Sequence, residues 1–255
     1  MANSIITAAI AEMLKITETV FSKHNIQYYL VGAVARDIHL SDYKSPRRTK
    51  DIDLAILIDN ENQFYEVKNA LLHTGHFKEH ETEPIKLFYK NAIELDLLPF
   101  GKIENEKRET ILTKPILFTM DVPGFKELMP HIQQIHIEGT TLNICPLEGI
   151  IILKIISYNQ NPSRDKDLAD IEHFISVYFD IHSEEIYNDH YDILNLYENN
   201  TEFQQLVSQR LIGRKIKRLL QHNPPMLNKI KEYCTDSSSS RITMLWPAIA
   251  DGLED

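Results

Sequence analysis

Two aspartates within one short apolar segment constrain this chain more than any other feature of its sequence. Asp51 and Asp53 alternate with Ile52 and Leu54 in the segment 50–58. In a β-strand, residues two apart share a face, so both carboxylates point to one side and the apolar side chains to the other. Neighbouring like charges are best tolerated around a cation, and Mg²⁺ takes one or two carboxylates together with substrate phosphates. The spacing therefore predicts a metal-dependent phosphoryl or nucleotidyl transfer site on a strand.

A third acid of the same site is predicted on a later strand. The predicted strand 92–98 places Glu94 and Asp96 on one face, alternating with apolar residues. If this strand lies beside the first, Asp96 reaches the same ions and assists deprotonation of an incoming hydroxyl, with Glu94 as the rival for that position. Two ions about 3.5–4 Å apart would stabilise the attacking and leaving oxygens of an in-line displacement.

Phosphate-binding groups are predicted around this acidic pattern. Gly32 and Ala33 follow an apolar strand at 28–31 and open a short helix, whose backbone N–H groups suit a triphosphate. From residue 36 to residue 50, five basic residues stand against two acidic ones. For Arg47, pairing with Asp51 or Asp53 is the alternative to phosphate binding. The predicted phosphate-binding residues are Gly32, Ala33, Arg36, Arg47, Arg48, Thr49 and Lys50.

Together these motifs resemble a known family. The Gly-small turn, the Arg-Arg-Thr-Lys-Asp-Ile-Asp run at 47–53 and the acidic strand at 94–101 are similar to the nucleotidyltransferase superfamily of DNA polymerase β type. Within it, the sequence most resembles the AbiEii-like branch, which includes toxins of type IV toxin–antitoxin systems. The resemblance covers roughly residues 25–180. This sequence departs from the pattern in having Ala33 as the second turn residue and a long spacer before Asp51.

The resemblance implies cofactors and site residues as well as a fold. It implies use of a nucleoside triphosphate, such as ATP, with two Mg²⁺ ions held by Asp51, Asp53 and Asp96. It also implies that Lys154 and Asp167 are further active-site positions. Lys154 lies in an apolar run at 150–156, where a lysine is costly unless it reaches water or a partner. A role at a cleft is therefore favoured over a snorkelling lysine, whereas the charged segment around Asp167 is explained equally well as a salt-bridged helix.

The secondary-structure pattern changes near residue 145. Before it, strands and helices alternate, which predicts a small mixed α/β sheet. The predicted helices of this part are 4–24, 33–40 and 61–74, the predicted strands are 28–31, 50–58, 86–89, 92–98, 133–137 and 141–144, and the segment between 101 and 133 is predicted as loop. After Pro146 the strand signals end and only helical patterns follow. We therefore predict an α/β (α+β) nucleotidyltransferase fold, with a catalytic domain at 1–145 and an all-helical domain at 146–255 that closes over the cleft. The predicted helices of the second domain are 147–159, 165–179, 184–197, 202–220 and 225–233.

Bulk properties exclude several classes of protein. The 255-residue chain has a formal net charge of −10, which argues against a surface that binds nucleic acid everywhere. A basic run on the predicted helix 202–220 lacks interleaved aromatic residues and favours a solvated face over RNA binding. The two cysteines lack metal-type or disulfide spacing, and no segment predicts a signal peptide or membrane span. A cytoplasmic location is expected.

The function predicted is Mg²⁺-dependent transfer of a nucleoside monophosphate from a nucleoside triphosphate to a hydroxyl, with release of pyrophosphate. A tRNA 3′ end, a protein side chain and a small molecule all remain open as acceptors. If the toxin resemblance holds, a cognate antitoxin is an expected partner. The alternative is a non-catalytic, nucleotide-binding regulatory protein that retains the fold.

Overall fold

The structure is a computed structural model of the chain, and it describes residues 5–43, 51–137, 139–235 and 246–255. The chain divides into two compact units, residues 1–147 and 148–255. This division lies two residues beyond the boundary predicted from the sequence at residue 145.

The first unit is built on a mixed sheet of seven strands, in the order β3-β4-β5-β2-β1-β9-β8. β2 pairs in parallel with β5 and antiparallel with β1, so the two acid-bearing strands are neighbours at the centre of the sheet. The strands are β1 (Tyr28–Val31), β2 (Asp51–Ile58), β3 (Phe77–Glu79), β4 (Lys86–Tyr89), β5 (Ile93–Gly101), β8 (Gln133–Ile137) and β9 (Thr140–Ile144).

Three helices accompany the sheet: α1 (Ala8–Lys23), α2 (Gly32–His39) and α3 (Glu61–His73). α1 begins later than the predicted residue 4, because the Thr7 hydroxyl caps it by accepting a hydrogen bond from the backbone N–H of Ile10. α2 follows β1 directly and contacts β1 and β2, which places the start of α2 beside the acidic strand.

Two features of the first unit differ from the sequence-based expectation. β5 continues through Pro99, past its predicted end at Leu98. The missing N–H of Pro99 would lie on the edge of β5 that faces β4, as the N–H of Leu97 does. Because β4 has already ended at that point, Pro99 interrupts no hydrogen bond between these two strands. A separate hairpin, β6 (Glu109–Leu112) and β7 (Phe118–Asp121), lies in a segment that the sequence predicts as loop. Its strands are too short to show a reliable alternation. A short helix, α4 (Phe125–Leu128), follows it.

The second unit is helical in all the segments that the structure describes. Its helices largely match the predicted ones, but the predicted helix 184–197 is two helices separated at His190, and the last helix was not predicted. The helices are α5 (Leu147–Gln160), α6 (Asp165–Ile181), α7 (Ser183–Asp189), α8 (Tyr191–Tyr197), α9 (Phe203–Leu220), α10 (Pro224–Thr235) and α11 (Pro247–Glu254).

Glycines permit the close approach of α9 and α11. A Cβ atom on Gly213 would lie 2.2 Å from the carbonyl oxygen of Ile249, and one on Gly252 would lie 2.1 Å from that of Arg210. Because both neighbours are backbone atoms, neither position accepts a side chain without separating the helices. This contact anchors the C-terminal helix in the helical unit.

The predicted fold class, a small mixed α/β sheet followed by helices, is confirmed by these elements. Within the described ranges, none of the helices combines the length and the apolar character needed to cross a membrane.

Candidate active site

The parallel register of β2 and β5 brings the predicted acids together. Asp53 is the Cα partner of Asp96, and Asp51 is the partner of Glu94. Since paired residues on adjacent strands project to the same side of a sheet, the four carboxyl groups form one acidic face. The opposite sides of both strands carry buried apolar residues such as Ile52 and Leu95.

Asp96 is the most unusual carboxyl group on this face. Its Oδ1 atom is buried and has no hydrogen-bond partner in the described part of the chain. Burial raises the pKa of Asp96 to about 6, with Lys86 opposing this shift and the negative charges of Glu94, Glu83 and Asp51 adding to it. A buried carboxylate without a partner is destabilising by itself. A positively charged ligand at this position would reverse that penalty.

A neighbouring lysine separates the roles of Asp96 and Glu94, which the sequence leaves open. Lys86 on β4 lies opposite Asp96 in the antiparallel β4–β5 register. Its ammonium group is 3.1 Å from Glu94 Oε2 and 3.6 Å from Glu83 Oε2. Glu94 is therefore engaged in an ion pair, and this favours Asp96 as the third acid.

Lys86 was not among the site residues predicted from the sequence. The signal that identifies it is the tight turn at 90–92, because that turn pairs Tyr89 with Ile93 and hence Lys86 with Asp96. Reading the hairpin register, and not only the alternation along each strand, would have found it.

Gly32 lies directly against Asp53. A Cβ atom on Gly32 would lie 1.9 Å from Asp53 Oδ2, and the glycine has a φ angle of +68°, in the left-handed region. Only glycine combines this backbone conformation with this approach. The carboxylate of Asp53 is thus held at the first residue of α2, where the helix dipole favours negative charge. Ala33, the next predicted position, is half-buried in the first turn of α2.

Arg36 is placed differently from the expectation for a phosphate-binding residue. It is 5% exposed, and its Nη2 and Nε atoms lie 2.7 and 2.8 Å from Asp37 Oδ1. The guanidinium is therefore committed to an ion pair within α2, and phosphate binding by Arg36 stays a prediction. Arg47, Arg48, Thr49 and Lys50, the other predicted phosphate-binding residues, lie outside the described residues.

The acidic face carries the type of donor atom that a divalent cation needs, but its carboxylates do not surround a common point in the described structure. In the ranges that the structure describes, no three His, Cys, Asp or Glu side chains are close enough to hold a metal ion as they stand. Two observations nevertheless fit a cation: the buried, unpartnered Oδ1 of Asp96, and the clearance at Gly32 that admits the Asp53 carboxylate. Oxygen donors of this kind are the ligands that Mg²⁺ prefers.

Lys154 and Asp167, predicted by resemblance as further active-site positions, contact each other in the helical unit. Lys154 Nζ lies 3.1 Å from Asp167 Oδ1 and 2.7 Å from Asp170 Oδ2, and all three side chains are largely buried. Arg164 Nε is 2.6 Å from Asp167 Oδ2. Burial by itself raises the pKa of Asp167, but Lys154 and Arg164 outweigh it and hold that pKa below its usual value. Asp170, the closest partner of Lys154, was missed by the sequence reasoning.

The Lys154→Met variant is expected to destabilise the protein by about 3 kcal/mol, because it leaves Asp167 and Asp170 charged and buried without their shared cation. Since the pKa of Asp167 is lowered in the folded protein, this cluster stabilises the fold at neutral pH and loses that contribution as the pH falls below about 4. Urea unfolding of the full chain measures the difference. The control is Lys166→Met, which changes an exposed lysine of α6, the helix that carries Asp167 and Asp170. An equal, negligible effect of both substitutions would contradict the prediction.

Comparisons with known proteins gave matches among solved structures alone. No protein-family model and no curated protein matches this sequence. The chain is similar to the antibiotic-resistance factor ANT(2'')-Ia, at 14% identity and a TM-score of 0.42 over 74% of this chain and 96% of that one. It is also similar to an antigenic nucleotidyltransferase-like protein from Paracoccidioides brasiliensis, at 16% identity and a TM-score of 0.40 over 86% and 91% of the two chains.

A third similar structure is the lincosamide antibiotic adenylyltransferase LnuA, at 15% identity and a TM-score of 0.37 over 63% of this chain and 93% of that one. Identities and TM-scores this low carry no argument about the activity of this chain. The function proposed below therefore rests on the residues of the acidic face.

Proposed function

We propose that this protein is a nucleotidyltransferase that moves a nucleoside monophosphate from a nucleoside triphosphate to a hydroxyl group and releases pyrophosphate. The observation that carries the proposal is the cross-strand pair of Asp53 and Asp96, in which Asp53 lies against Gly32 and Asp96 Oδ1 is buried without a partner. Structural acids seldom keep such an arrangement, because burial without a hydrogen bond destabilises a carboxylate.

Asp51, Asp53 and Asp96 are the residues that would hold Mg²⁺. The bound cation supplies charge neutralisation for the triphosphate and lowers the pKa of the attacking hydroxyl. Asp53 is pre-positioned for this role, because its carboxylate occupies the space that a side chain on Gly32 would take. Lys86 holds Glu94 aside and keeps positive charge next to the acidic face.

In the proposed reaction, the acceptor oxygen forms a bond to the α-phosphorus while the bond from that phosphorus to the pyrophosphate oxygen breaks. Asp96 receives the proton of the acceptor hydroxyl at Oδ1, the atom that has no hydrogen bond in the described structure. An ionised carboxylate on the acidic face can accept this proton directly, because it carries acceptor oxygens only. The backbone N–H groups at the start of α2 would bind phosphate oxygens.

The finer identity of the enzyme is part of the proposal. The sequence motif at 47–53 supports the polymerase β-type superfamily and its AbiEii-like branch. A toxin of that branch would use an RNA or protein acceptor and would have an antitoxin partner, whereas a small-molecule acceptor would indicate a different branch. The competing function is nucleotide binding without transfer.

Label transfer tests the proposal directly. The purified protein is incubated with Mg²⁺, each α-³²P-labelled nucleoside triphosphate in turn, and fractions containing total RNA, protein or small molecules. We expect label in one acceptor class, lost in the Asp53→Asn variant and on addition of EDTA. The matched control is Asp121→Asn, which removes an exposed acid of β7 in the same unit. Nucleotide binding without transfer in every fraction would overturn the proposal and favour the regulatory alternative.

A further inference from the structure

A cavity of about 380 Å³ lies in the helical unit, among residues that the proposed reaction does not use. A volume of this order matches the smaller ligand pockets of proteins, which hold a small molecule. The cavity is formed where α7 passes into α8, along one side of α9, and at the end of α11. Its lining residues are Asp189, His190, Arg214, Lys217, Arg218 and Asp255.

The three cations of this cavity differ in how fully they are neutralised. Arg214 is bound on two sides, with Nη1 2.9 Å from Asp192 Oδ1 and Nε 2.6 Å from Asp255 Oδ2. Hydrogen bonds from Arg210, and then from Arg214, hold the pKa of Asp255 at about 2, so this acid stays ionised and bound to both guanidinium groups.

Two cations therefore remain without a carboxylate partner. Lys217 donates to the backbone carbonyl oxygen of Glu254 at 3.1 Å, which leaves its charge uncompensated. Arg218 makes no hydrogen bond or ion pair within the described residues. Most of the basic run on α9 thus belongs to internal ion pairs, and its excess positive charge is concentrated at this cavity.

A buried histidine adds a second, independent feature. His190 is 4% exposed, and its Nδ1 atom is 3.2 Å from Arg214 Nη1, so Nδ1 accepts and Nε2 carries the proton of the neutral ring. Nε2 has no hydrogen-bond partner in the described structure, and its nearest acid, Glu185 Oε1, is 3.6 Å away. His190 thus forms part of the cavity wall and accepts a hydrogen bond from Arg214, another lining residue.

We propose that this cavity binds a small phosphate ester, with the phosphate on Arg218 and Lys217 and with ligand hydroxyl groups donating to Asp189. Guanidinium forks and ammonium groups are the common partners of phosphate oxygens. The carboxylates of Asp189 and Asp255 disfavour a polyanion, which favours a small ligand over RNA. This inference does not depend on nucleotidyl transfer.

Isothermal titration of the full chain with ribose 5-phosphate, inorganic phosphate and a ten-nucleotide RNA tests the proposal. We expect saturable, about millimolar or tighter binding of ribose 5-phosphate, at least about 10-fold weaker in Arg218→Ala and unchanged in the control Lys166→Ala. Weaker binding of inorganic phosphate would show that the hydroxyl groups contribute. The Asp53→Asn variant should bind ribose 5-phosphate normally, which separates this site from the proposed active site.

An NMR readout on the histidine complements the titration. Ribose 5-phosphate should shift the ring resonances of His190, and the Arg218→Ala variant should reduce this shift at the same ligand concentration. Three results would overturn the proposal. These are no binding of ribose 5-phosphate, binding of ribose 5-phosphate that Arg218→Ala does not weaken, or an RNA that binds more tightly than ribose 5-phosphate and is weakened equally by Arg218→Ala.

Discussion

Replacing Asp96 by asparagine is expected to abolish nucleotidyl transfer while making the metal-free protein more stable. The loss of activity should be at least about 100-fold, or about 2.7 kcal/mol of transition-state stabilisation, because the variant removes both a cation ligand and the proposed proton acceptor. The gain in stability follows from burial, since the ionised carboxylate of Asp96 has no partner at Oδ1. Opposite signs for activity and stability are the signature of an acid kept for function.

The pH dependence of this stability difference has a defined sign. In the metal-free folded protein the pKa of Asp96 is about 6, above its reference value of 3.8. The wild-type protein is therefore penalised progressively as the pH rises from about 4 to about 6, and the penalty is constant above that range. Asp96→Asn should match the wild type near pH 4 and exceed it above pH 6.

Because Asp96 is partly exposed, solvent screening reduces the expected gain to about 1 kcal/mol, or about 2–4 °C in Tm. Thermal unfolding in EDTA across pH 4–8 measures it. Addition of Mg²⁺ should raise the Tm of the wild type and leave that of Asp96→Asn nearly unchanged. A variant that is less stable than the wild type at pH 7 would show that Asp96 is a structural acid and would contradict the assignment.

The Gly32→Ala variant is expected to reduce transfer by at least about 100-fold in a protein that still folds. The new Cβ atom would lie 1.9 Å from Asp53 Oδ2, and the end of that flexible side chain is what must move. Asp53 therefore rotates away from the position in which it would hold the cation. The left-handed φ angle of +68° adds about 1–2 kcal/mol of destabilisation.

The chain offers a matched control at Gly75. This glycine has a similar φ of +76°, and no atom lies within 4 Å of the position that a Cβ would take. Gly75→Ala should therefore cost similar backbone strain and keep full activity. Comparing the two variants by label transfer and urea unfolding separates strain from displacement of Asp53. Equal activity of the two variants would show that the contact with Gly32 is unimportant for catalysis.

Local sequence patterns predicted many of the strands and helices. The alternation around Asp51 and Asp53 predicted the strand β2, and the apolar spacing predicted α3 and the helices α5 and α6 within a few residues. Patterns failed where local signals were weak. The hairpin at 109–121 was predicted as loop, and the predicted helix 184–197 is interrupted at His190, a buried residue of the second unit.

The assignment of the site residues depended on tertiary contacts more than the prediction of the fold did. Glu94 and Asp96 are equivalent by alternation, since both lie on one face of β5. Lys86 distinguishes them through the register of another strand. Arg36 lies in a basic segment of the sequence, yet the fold buries it against Asp37.

The sequence by itself determined which side chains share a face, because that property follows from the two-residue repeat of a strand and the 3.6-residue repeat of a helix. It therefore identified Asp51 and Asp53 as candidate ligands, together with either Asp96 or its rival Glu94. Only the tertiary structure decided which faces meet, since strand register and burial arise from contacts between residues distant in the chain. For this reason only the folded protein shows three contacts of the site: the pairing of Asp53 with Asp96, the contact of Asp53 with Gly32, and the ion pair of Lys86 with Glu94.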